Sequence, residues 1–417
     1  MKKRILVISW FYPPVNSSEG LVTYKLLKAS KYDYDVFTQK NNALWSYGNK
    51  DVLPETKNIN TIFAKAKDLQ EWIQEAVNYY KENKDKYDIV MTRSMPEESH
   101  ITGLEIKRIN PQIIWIASFG DPIGENPYVL KMLKEKNPYS VTGIRSMLSV
   151  KRFVKSYLFK RNKKYNYNNL IKVKSNLEEE IAECADKIIL NNKYQKEYMA
   201  KSKKNFNKFI DKSVVIEHSY DKSLYKENEQ KQNNKIVFRY IGHLDEIRTP
   251  IYLLKALRIL NKKDDKISDI AQFEFYGNLS DKDKLFIMDN DLLNLVHIKK
   301  TVGYLQSLEL MKDSDWLIHI DANISDVVNE NIFFAAKLAD YIGSQRNIIG
   351  LTMLDGASAD ILRNHNKLCI CNCTSEIVNY LYKIIYEKYT LEKDISYEEL
   401  ESKTVVQKLD KLIESLE

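Results

Sequence analysis

At 417 residues the chain is long enough for roughly two to three domains with substantial cores. Its 44% apolar and 29% charged residues are ordinary for a folded protein and exclude collagen-like, disordered and disulfide-scaffold classes. Three of its four cysteines stand in the run Cys369-Ile370-Cys371-Asn372-Cys373, whose alternate spacing suits neither a zinc knuckle nor a disulfide framework and points instead to buried thiols in a reduced, cytoplasmic protein. The net charge of +7 is unevenly placed: residues 142–174 hold ten Lys/Arg and no acid, which leaves −3 for the rest of the chain.

Lys2-Lys3-Arg4 and the apolar run 5–12 imitate a secretion signal, but no small-residue cleavage site follows and Pro13-Pro14 closes the run at strand length. It reads as a first buried strand, and no later apolar run approaches a bilayer span. Strand-like runs then recur at 34–38, 89–92, 113–118, 187–190 and 214–216, with helical patterns at 66–80 and 98–108 between them. This alternation predicts a parallel sheet covered on both faces. Residues 226–234, Lys-Glu-Asn-Glu-Gln-Lys-Gln-Asn-Asn, read as a polar linker.

Beyond the linker the alternation restarts. Strands are expected at 236–241, 273–276, 296–298, 316–321, 347–351 and 368–370, and helices at 251–260, 305–312, 336–343 and 376–387. The stretch 397–416 reads as a charged amphipathic helix. The fold class is therefore α/β, with two successive doubly wound domains.

In open α/β sheets, ligands bind beyond the carboxyl ends of the strands, so those ends hold the candidate residues. After the first strand, Phe11-Tyr12-Pro13-Pro14-Val15-Asn16-Ser17-Ser18-Glu19-Gly20 leads into a helix; Gly20 permits close backbone approach there, or the segment is a plain turn. It contains no G-x-G-x-x-G, which weighs against a dinucleotide fold. Asp121, in Ser118-Phe119-Gly120-Asp121-Pro122, either faces a cleft or caps the next helix. Thr249-Pro250 reads as a helix start. Arg248 beside it is either a diphosphate ligand or a solvated surface cation. Gly242, Gly277 and Gly303 are further strand-end glycines, and Ala335-Ala336 brings small residues to a helix start where free amides can receive phosphate. Lys337 and Asp340 could face one ligand or form an i, i+3 surface pair. Asp313-Ser314-Asp315 imitates a metal-binding D-x-D but falls between a helix and a strand and reads as surface charge.

In this order the pieces resemble a retaining glycosyltransferase of family 4, with the GT-B architecture of two facing Rossmann-like domains and a cleft between them. The matching segments are SWFYPPVNSSEG, WIASFGDPIGENPY, ADKIILNNKYQKEYM, VIEHSYD, YIGHLDEIRTPIYLLKAL, FEFYGN, VGYLQSLELMKDSDWLIHID and FFAAKLADYIGSQRNIIGL. The last is similar to the family's PSKLxEYLxxGxPV segment. The resemblance implies an acceptor-side domain over 1–228, completed by a C-terminal helix at 400–417, and a nucleotide-sugar domain over 235–399. It implies diphosphate contacts near Gly242, His243 and Arg248, with His243 standing where the family usually has arginine. Gly277 belongs to the same donor site, backbone amides of Ala335, Ala336 and Lys337 hold phosphate, and Asp340 holds the ribose hydroxyls. Thr301, Val302 and Gly303 meet the base, Gly20 approaches the diphosphate, and Asp121 faces the reacting sugar or acceptor. The family's first glutamate falls at Ile332, and Glu330, two residues away, is the substitute.

The resemblance further implies sugar transfer from a nucleotide-diphosphate sugar to a glycan or lipid-linked acceptor with retention, without cofactor or metal, in surface polysaccharide biosynthesis. A sugar-nucleotide 2-epimerase of the same fold is the alternative enzyme. A third reading uses the basic 142–174 segment to bind membrane or nucleic acid; with the transferase reading, nucleic acid drops out and an anionic membrane surface remains as partner, the protein lying peripherally at the inner face. A solvated basic helix pair is the plain alternative for that segment.

Overall fold

The computed structural model describes residues 3–15, 17–40, 52–134, 167–226 and 233–416. The chain forms two units, one of Met1–Ser219 with Ser402–Glu417 and one of Tyr220–Glu401.

The first unit runs β1 (Arg4–Ser9), α1 (Ser18–Ala29), β2 (Asp33–Gln39), β3 (Ile59–Ala64), α2 (Leu69–Asn83), β4 (Ile89–Arg93), α3 (Glu98–Ile109), β5 (Ile114–Ser118), α4 (Pro127–Lys134), α5 (Tyr167–Cys184), β6 (Lys187–Leu190), α6 (Lys193–Lys201), α7 (Phe206–Lys212) and β7 (Ser213–Val215). Its seven strands are parallel in the order β3-β2-β1-β4-β5-β6-β7, with Ile5 beside both Tyr34 and Ile89. The central strand is apolar along its length because helices cover both faces. One core gathers Leu6, Ile8, Val90, Trp115, Ile188 and the fully buried Trp72 of α2, whose ring meets Trp10 edge-on at 5.3 Å.

Two details differ from the sequence reading. The edge strand β3 was not expected; its INTIFA segment is only partly buried and carries no clean alternation. The second helix begins at Leu69 rather than at 66, because the Asp68 carboxylate accepts from the amides of Gln70 and Glu71, both at 2.9 Å, and fixes the start.

The second unit runs β8 (Ile236–Ile241), α8 (Ile251–Lys263), α9 (Ile267–Ile270), β9 (Ala271–Tyr276), α10 (Asp281–Asp289), β10 (Val296–Lys299), α11 (Tyr304–Lys312), β11 (Trp316–Ile320), α12 (Ala336–Gly343), β12 (Asn347–Thr352), α13 (Ala357–Asn364), β13 (Leu368–Cys371) and α14 (Thr374–Tyr386). Its six parallel strands follow the order β10-β9-β8-β11-β12-β13. That is the doubly wound Rossmann order, with the topological switch between β8 and β11. The core stacks Phe238 on Phe273 at 4.4 Å and adds Leu254, Leu257, Ile318, Ile349 and Leu381.

The last helix, α15 (Ser402–Glu414), is preceded by a 3-10 turn at Tyr397–Leu400. The continuous helix expected over 397–416 is therefore broken near Glu401. The Tyr220 amide donates to the Leu400 carbonyl at 3.0 Å and Tyr220 bridges Glu401, which holds this stretch extended. The same contacts draw Tyr220 into the second unit, so the division falls at 219/220, ahead of the expected 228. Of the linker, residues 227–232 lie outside the described residues.

Candidate functional site

In the second unit the residues after β8 and β9 meet each other. Gly242 has φ +139° and Gly277 φ +155°, conformations that L side chains rarely adopt. A Cβ on Gly277 would collide with the Gly242 carbonyl oxygen, and one on Gly242 would stand 3.1 Å from Lys337 Nζ. Glycine is required at both strand ends for steric reasons. Lys337, in the first turn of α12, donates to the Tyr240 hydroxyl at 2.5 Å and lies 3.9 Å from that ring's centroid. Tyr240 in turn donates its hydroxyl hydrogen bond to the His243 carbonyl at 2.9 Å. Burial, reinforced by the Arg248 charge and opposed by Asp321 and Asp245, holds the Lys337 ammonium well below its ordinary range.

Arg248 is placed by its backbone. Asp245 Oδ1 accepts from the amides of Ile247 (2.9 Å) and Arg248 (2.8 Å), and the Asp245 amide returns a bond to the Arg248 carbonyl at 3.2 Å. Thr249 accepts from the Ile251 amide at 3.2 Å and donates to Asp283, while the helix proper begins at Ile251, one residue after the expected proline start. His243 is exposed.

At the switch point, β11 ends in a buried network. Asp321 Oδ1 meets His319 Nε2 at 2.9 Å, and its Oδ2 accepts from Asn331 Nδ2 (2.8 Å) and Thr352 Oγ1 (2.6 Å). Burial alone would raise the Asp321 carboxyl; the charge and hydrogen bond of His319, then Thr352 and Ser358, outweigh it and hold the group well below the usual range. Glu330 lies exposed just before buried Asn331, and Ile332 is 3% exposed in the core.

The structure separates Lys337 from Asp340. Asp340 is only 4% exposed, its carboxylate accepts from the Tyr304 hydroxyl at 3.1 Å, and its carbonyl accepts from Tyr225 at 2.7 Å. The exposed i, i+3 surface pair is thereby excluded. Tyr304 opens α11 directly after Gly303, its N-terminal flank, so Asp340 is tied to the segment Thr301, Val302 and Gly303, of which Thr301 is exposed. Ala335 flanks α12 and Ala336 is its first residue. The Asp313-Ser314-Asp315 triplet is structural, as Asp315 accepts from the Val237 amide at 2.8 Å and from Asn233 at 3.1 Å.

The first unit assembles a second set at its own strand ends. Gly20 lies in the first turn of α1, where a Cβ would stand 3.1 Å from the Tyr12 backbone, so the close approach there is to its own loop. Arg93, at the end of β4, donates to Glu19 at 2.8 Å and to Ser118 at 3.1 Å. The Glu19 carboxylate stands 2.8 Å from where a Gly120 Cβ would be. Asn191 and Gln195 both donate to the Gly120 carbonyl, at 2.7 and 3.1 Å. Asp121 follows and is half-buried. Asn126 rather than Asp121 caps α4, its Oδ1 accepting from the Tyr128 amide at 2.9 Å, and this removes the helix-cap alternative. His218, in the VIEHSYD segment, is buried, and desolvation, with Arg93 and Lys25 adding to it, keeps its imidazole well below the usual range.

Sequence reasoning did not single out Glu19, Lys25, Arg93, His218 or the Glu97–Lys174 ion pair of 2.8 Å. Their charges become informative only once sheet order brings distant segments together. The basic segment falls outside the described residues over 142–166; Lys172 and Lys174 lie on α5, where Lys174 is committed to Glu97. Among the described residues no helix is long and apolar enough to cross a membrane.

No family model and no curated protein sequence matches the chain. Solved structures match throughout. A sucrose-phosphate synthase from Thermosynechococcus elongatus aligns over 100% of this chain and 95% of its own, with TM-score 0.61 and 13% identity. The lipopolysaccharide outer core galactosyltransferase WaaB aligns over 99% of both chains, with TM-score 0.59 and 13% identity. A structure described as a putative UDP-N-acetylglucosamine 2-epimerase from Listeria monocytogenes covers 100% of this chain and 96% of its own, with TM-score 0.56 and 11% identity. The fold is GT-B, two parallel-sheet Rossmann-like α/β units.

Proposed function

We propose that the protein is a retaining, family 4-like glycosyltransferase that moves a sugar from a nucleotide-diphosphate donor to a glycan or lipid-linked acceptor. The observation that carries the reading is the end of β8 and β9, where Gly277 packs on the Gly242 carbonyl and Gly242 adjoins the desolvated Lys337 ammonium, with the Arg248 charge close enough to depress it. Bare backbone beside two clustered cations at a Rossmann switch point suits a diphosphate. In this reading Arg248 and Lys337 take the charge that builds as the glycosidic bond breaks, with the amides of Ala335 and Ala336. Segment 301–303 receives the base and Asp340 the ribose. Acceptor attack and diphosphate departure share one face, the leaving phosphate takes the acceptor proton, and Asp121 and Glu330 face the reacting groups. No metal is required. Surface polysaccharide assembly at the inner face of a membrane, contacted through 142–174, is the setting we infer.

A thermal-shift screen of nucleoside diphosphates and nucleotide-sugars tests the reading, followed by incubation of each stabilising donor with and without glycan acceptors. Stabilisation by a nucleoside diphosphate, then its release with a lengthened glycan, is expected. If no nucleoside diphosphate shifts the melting temperature, the reading fails. The full-length likeness to the Listeria structure favours a second reading, 2-epimerisation. It predicts an altered donor sugar without any acceptor.

A further inference from the structure

Strand β13 ends at Cys371, and α14 begins at Thr374 with Cys373 as its flanking residue. Between them the chain reverses in three residues, the Cys373 amide donating to the Cys371 carbonyl at 2.8 Å. This brings both thiols to one side of the turn. Glu376, in the first turn of α14, reaches back so that its Oε2 accepts from the Cys371 amide at 3.0 Å. Cys371 Sγ, Cys373 Sγ and a Glu376 carboxylate oxygen all lie within 4.8 Å of one another, and all three residues are half-buried.

We propose that Cys371, Cys373 and Glu376 bind a thiophilic d10 cation, zinc(II), with water in the fourth position. Tetrahedral zinc with bonds of ~2.3 Å to sulfur and ~2.1 Å to oxygen sets its ligand atoms roughly 3.5–3.8 Å apart. From separations within 4.8 Å, the observed cluster closes to that geometry with relative shifts of no more than about 1.3 Å. The backbone bond from Cys371 to Glu376 orients the carboxylate, as outer-shell partners do in metal sites. Two thiolates select zinc over magnesium or calcium, which prefer all-oxygen sets. Cys369 and Cys184 lie outside the cluster.

The C-x-C spacing alone gave no zinc signature, because it is the turn at Asn372 and the return of Glu376, rather than a second C-x-x-C, that completes the donor set. The site is separate from the proposed donor site: β13 is the third strand from β8 in the sheet, about 14 Å away at ~4.8 Å per strand. Ligation there pins the outermost strand to α14, whose Ile377, Leu381 and Ile384 belong to the second unit's core. Zinc would therefore govern that unit's stability and leave the sugar chemistry to other residues.

The test uses the full-length chain, reduced and stripped of metal, titrated with cobalt(II) as spectroscopic probe and then with zinc(II). One equivalent of cobalt should raise a thiolate-to-metal charge-transfer band that zinc abolishes, and zinc should raise the melting temperature. Cys371→Ser and Cys373→Ser should lose the band, Cys184→Ser and Cys369→Ser should keep it, and Glu376→Gln should weaken binding about 10- to 100-fold. Far-UV circular dichroism accompanies each variant, and Glu376→Gln decides should a cysteine variant fail to fold. A band that persists in Cys371→Ser, unchanged affinity in Glu376→Gln, or no band in the wild type with all four thiols titrating free would each overturn the proposal. None of these outcomes depends on whether the chain transfers sugar.

Discussion

Arg248 is fixed by its main chain, since the Asp245 carboxylate gathers the Ile247 and Arg248 amides and sets where the guanidinium departs. A guanidinium can offer two parallel hydrogen bonds to a diphosphate, and charge grows there as the donor bond breaks. Arg248→Ala should therefore lower kcat/KM by on the order of a hundred- to a thousandfold, about 3–4 kcal/mol, with little change in melting temperature. Transfer kinetics beside a melting curve check both halves, and near-normal turnover would remove Arg248 from the site. Glu98 gives a prediction independent of function. Burial, then the neighbouring Glu97 charge, pushes its carboxyl from the ordinary 4.5 up to about 8. Between those values the folded chain holds a proton that the unfolded chain releases, so this residue's contribution to stability falls as pH rises, by at most about 1.4 kcal/mol per unit. Glu97 works in a separate window: burial raises it, the charge and hydrogen bond of Lys174 outweigh that, and its contribution is lost only as pH falls below the ordinary carboxylate range. Glu98→Gln should flatten the stability profile from pH ~5 to ~8 in urea melts; an unchanged slope would show that Glu98 is not the source.

At the scale of elements, the strand ends were legible where glycine made them so. Gly242 and Gly277 sit where the sequence placed them because both hold positive φ angles that L side chains rarely adopt, and a Cβ on Gly277 would also strike the Gly242 carbonyl. Buried strands such as β8 and β11 were equally readable, since continuous apolar runs follow from helices on both faces. Strand β3 was not, because an edge strand with one covered face needs little hydrophobicity and its Asn60 is engaged by Asp35 at 2.9 Å. Partnerships across elements were the least legible. Nothing at position 337 says that its ammonium will rest on Tyr240, which lies 97 residues earlier. That contact leads to a prediction about the junction of β8 and α12. The folded-state pKa of Lys337 is depressed, so the unfolded chain holds a proton that the folded chain tends to release. Lys337 therefore costs stability at neutral pH, and that cost fades as pH rises toward the ordinary lysine range. Lys337→Met should raise the melting temperature by ~2–4 °C, corresponding to about 1 kcal/mol, while weakening nucleoside diphosphate binding. Calorimetry in buffers of different ionisation enthalpy should show greater proton uptake on binding in the wild type than in the variant. Equal proton uptake in both would place the titrating group elsewhere.

For the whole molecule, the chain leaves the first unit at Ser219, builds the second, and returns to complete the first with α15. The return is apolar at its centre: Val405, Val406, Leu409, Leu412 and Ile413 are buried, with Leu409 at 0% exposure. Polar contacts set its register, the Ser30 hydroxyl donating to Asp410 at 2.6 Å, Lys408 meeting Glu217 at 2.6 Å and Lys3 donating to the Leu416 carbonyl at 3.0 Å. Lys31 and Glu414 add an exposed ion pair, which contributes little in water. The hydrophobic seam is thus the larger contribution, and the first unit's stability depends on residues made after the second unit is finished. Leu409→Ala removes a fully buried side chain and should cost about 2–5 kcal/mol, whereas Lys31→Ala should leave the melting midpoint almost unchanged. The loss should appear as a lower midpoint in the transition followed by the first unit's Trp10, Trp45, Trp72 and Trp115. A transition reporting the second unit's only tryptophan, Trp316, should keep its midpoint if the two units melt separately. Introducing tryptophan-to-phenylalanine changes in one unit at a time isolates each signal. If Leu409→Ala leaves the first unit's midpoint unchanged, the C-terminal helix is an appendage rather than part of that unit's core.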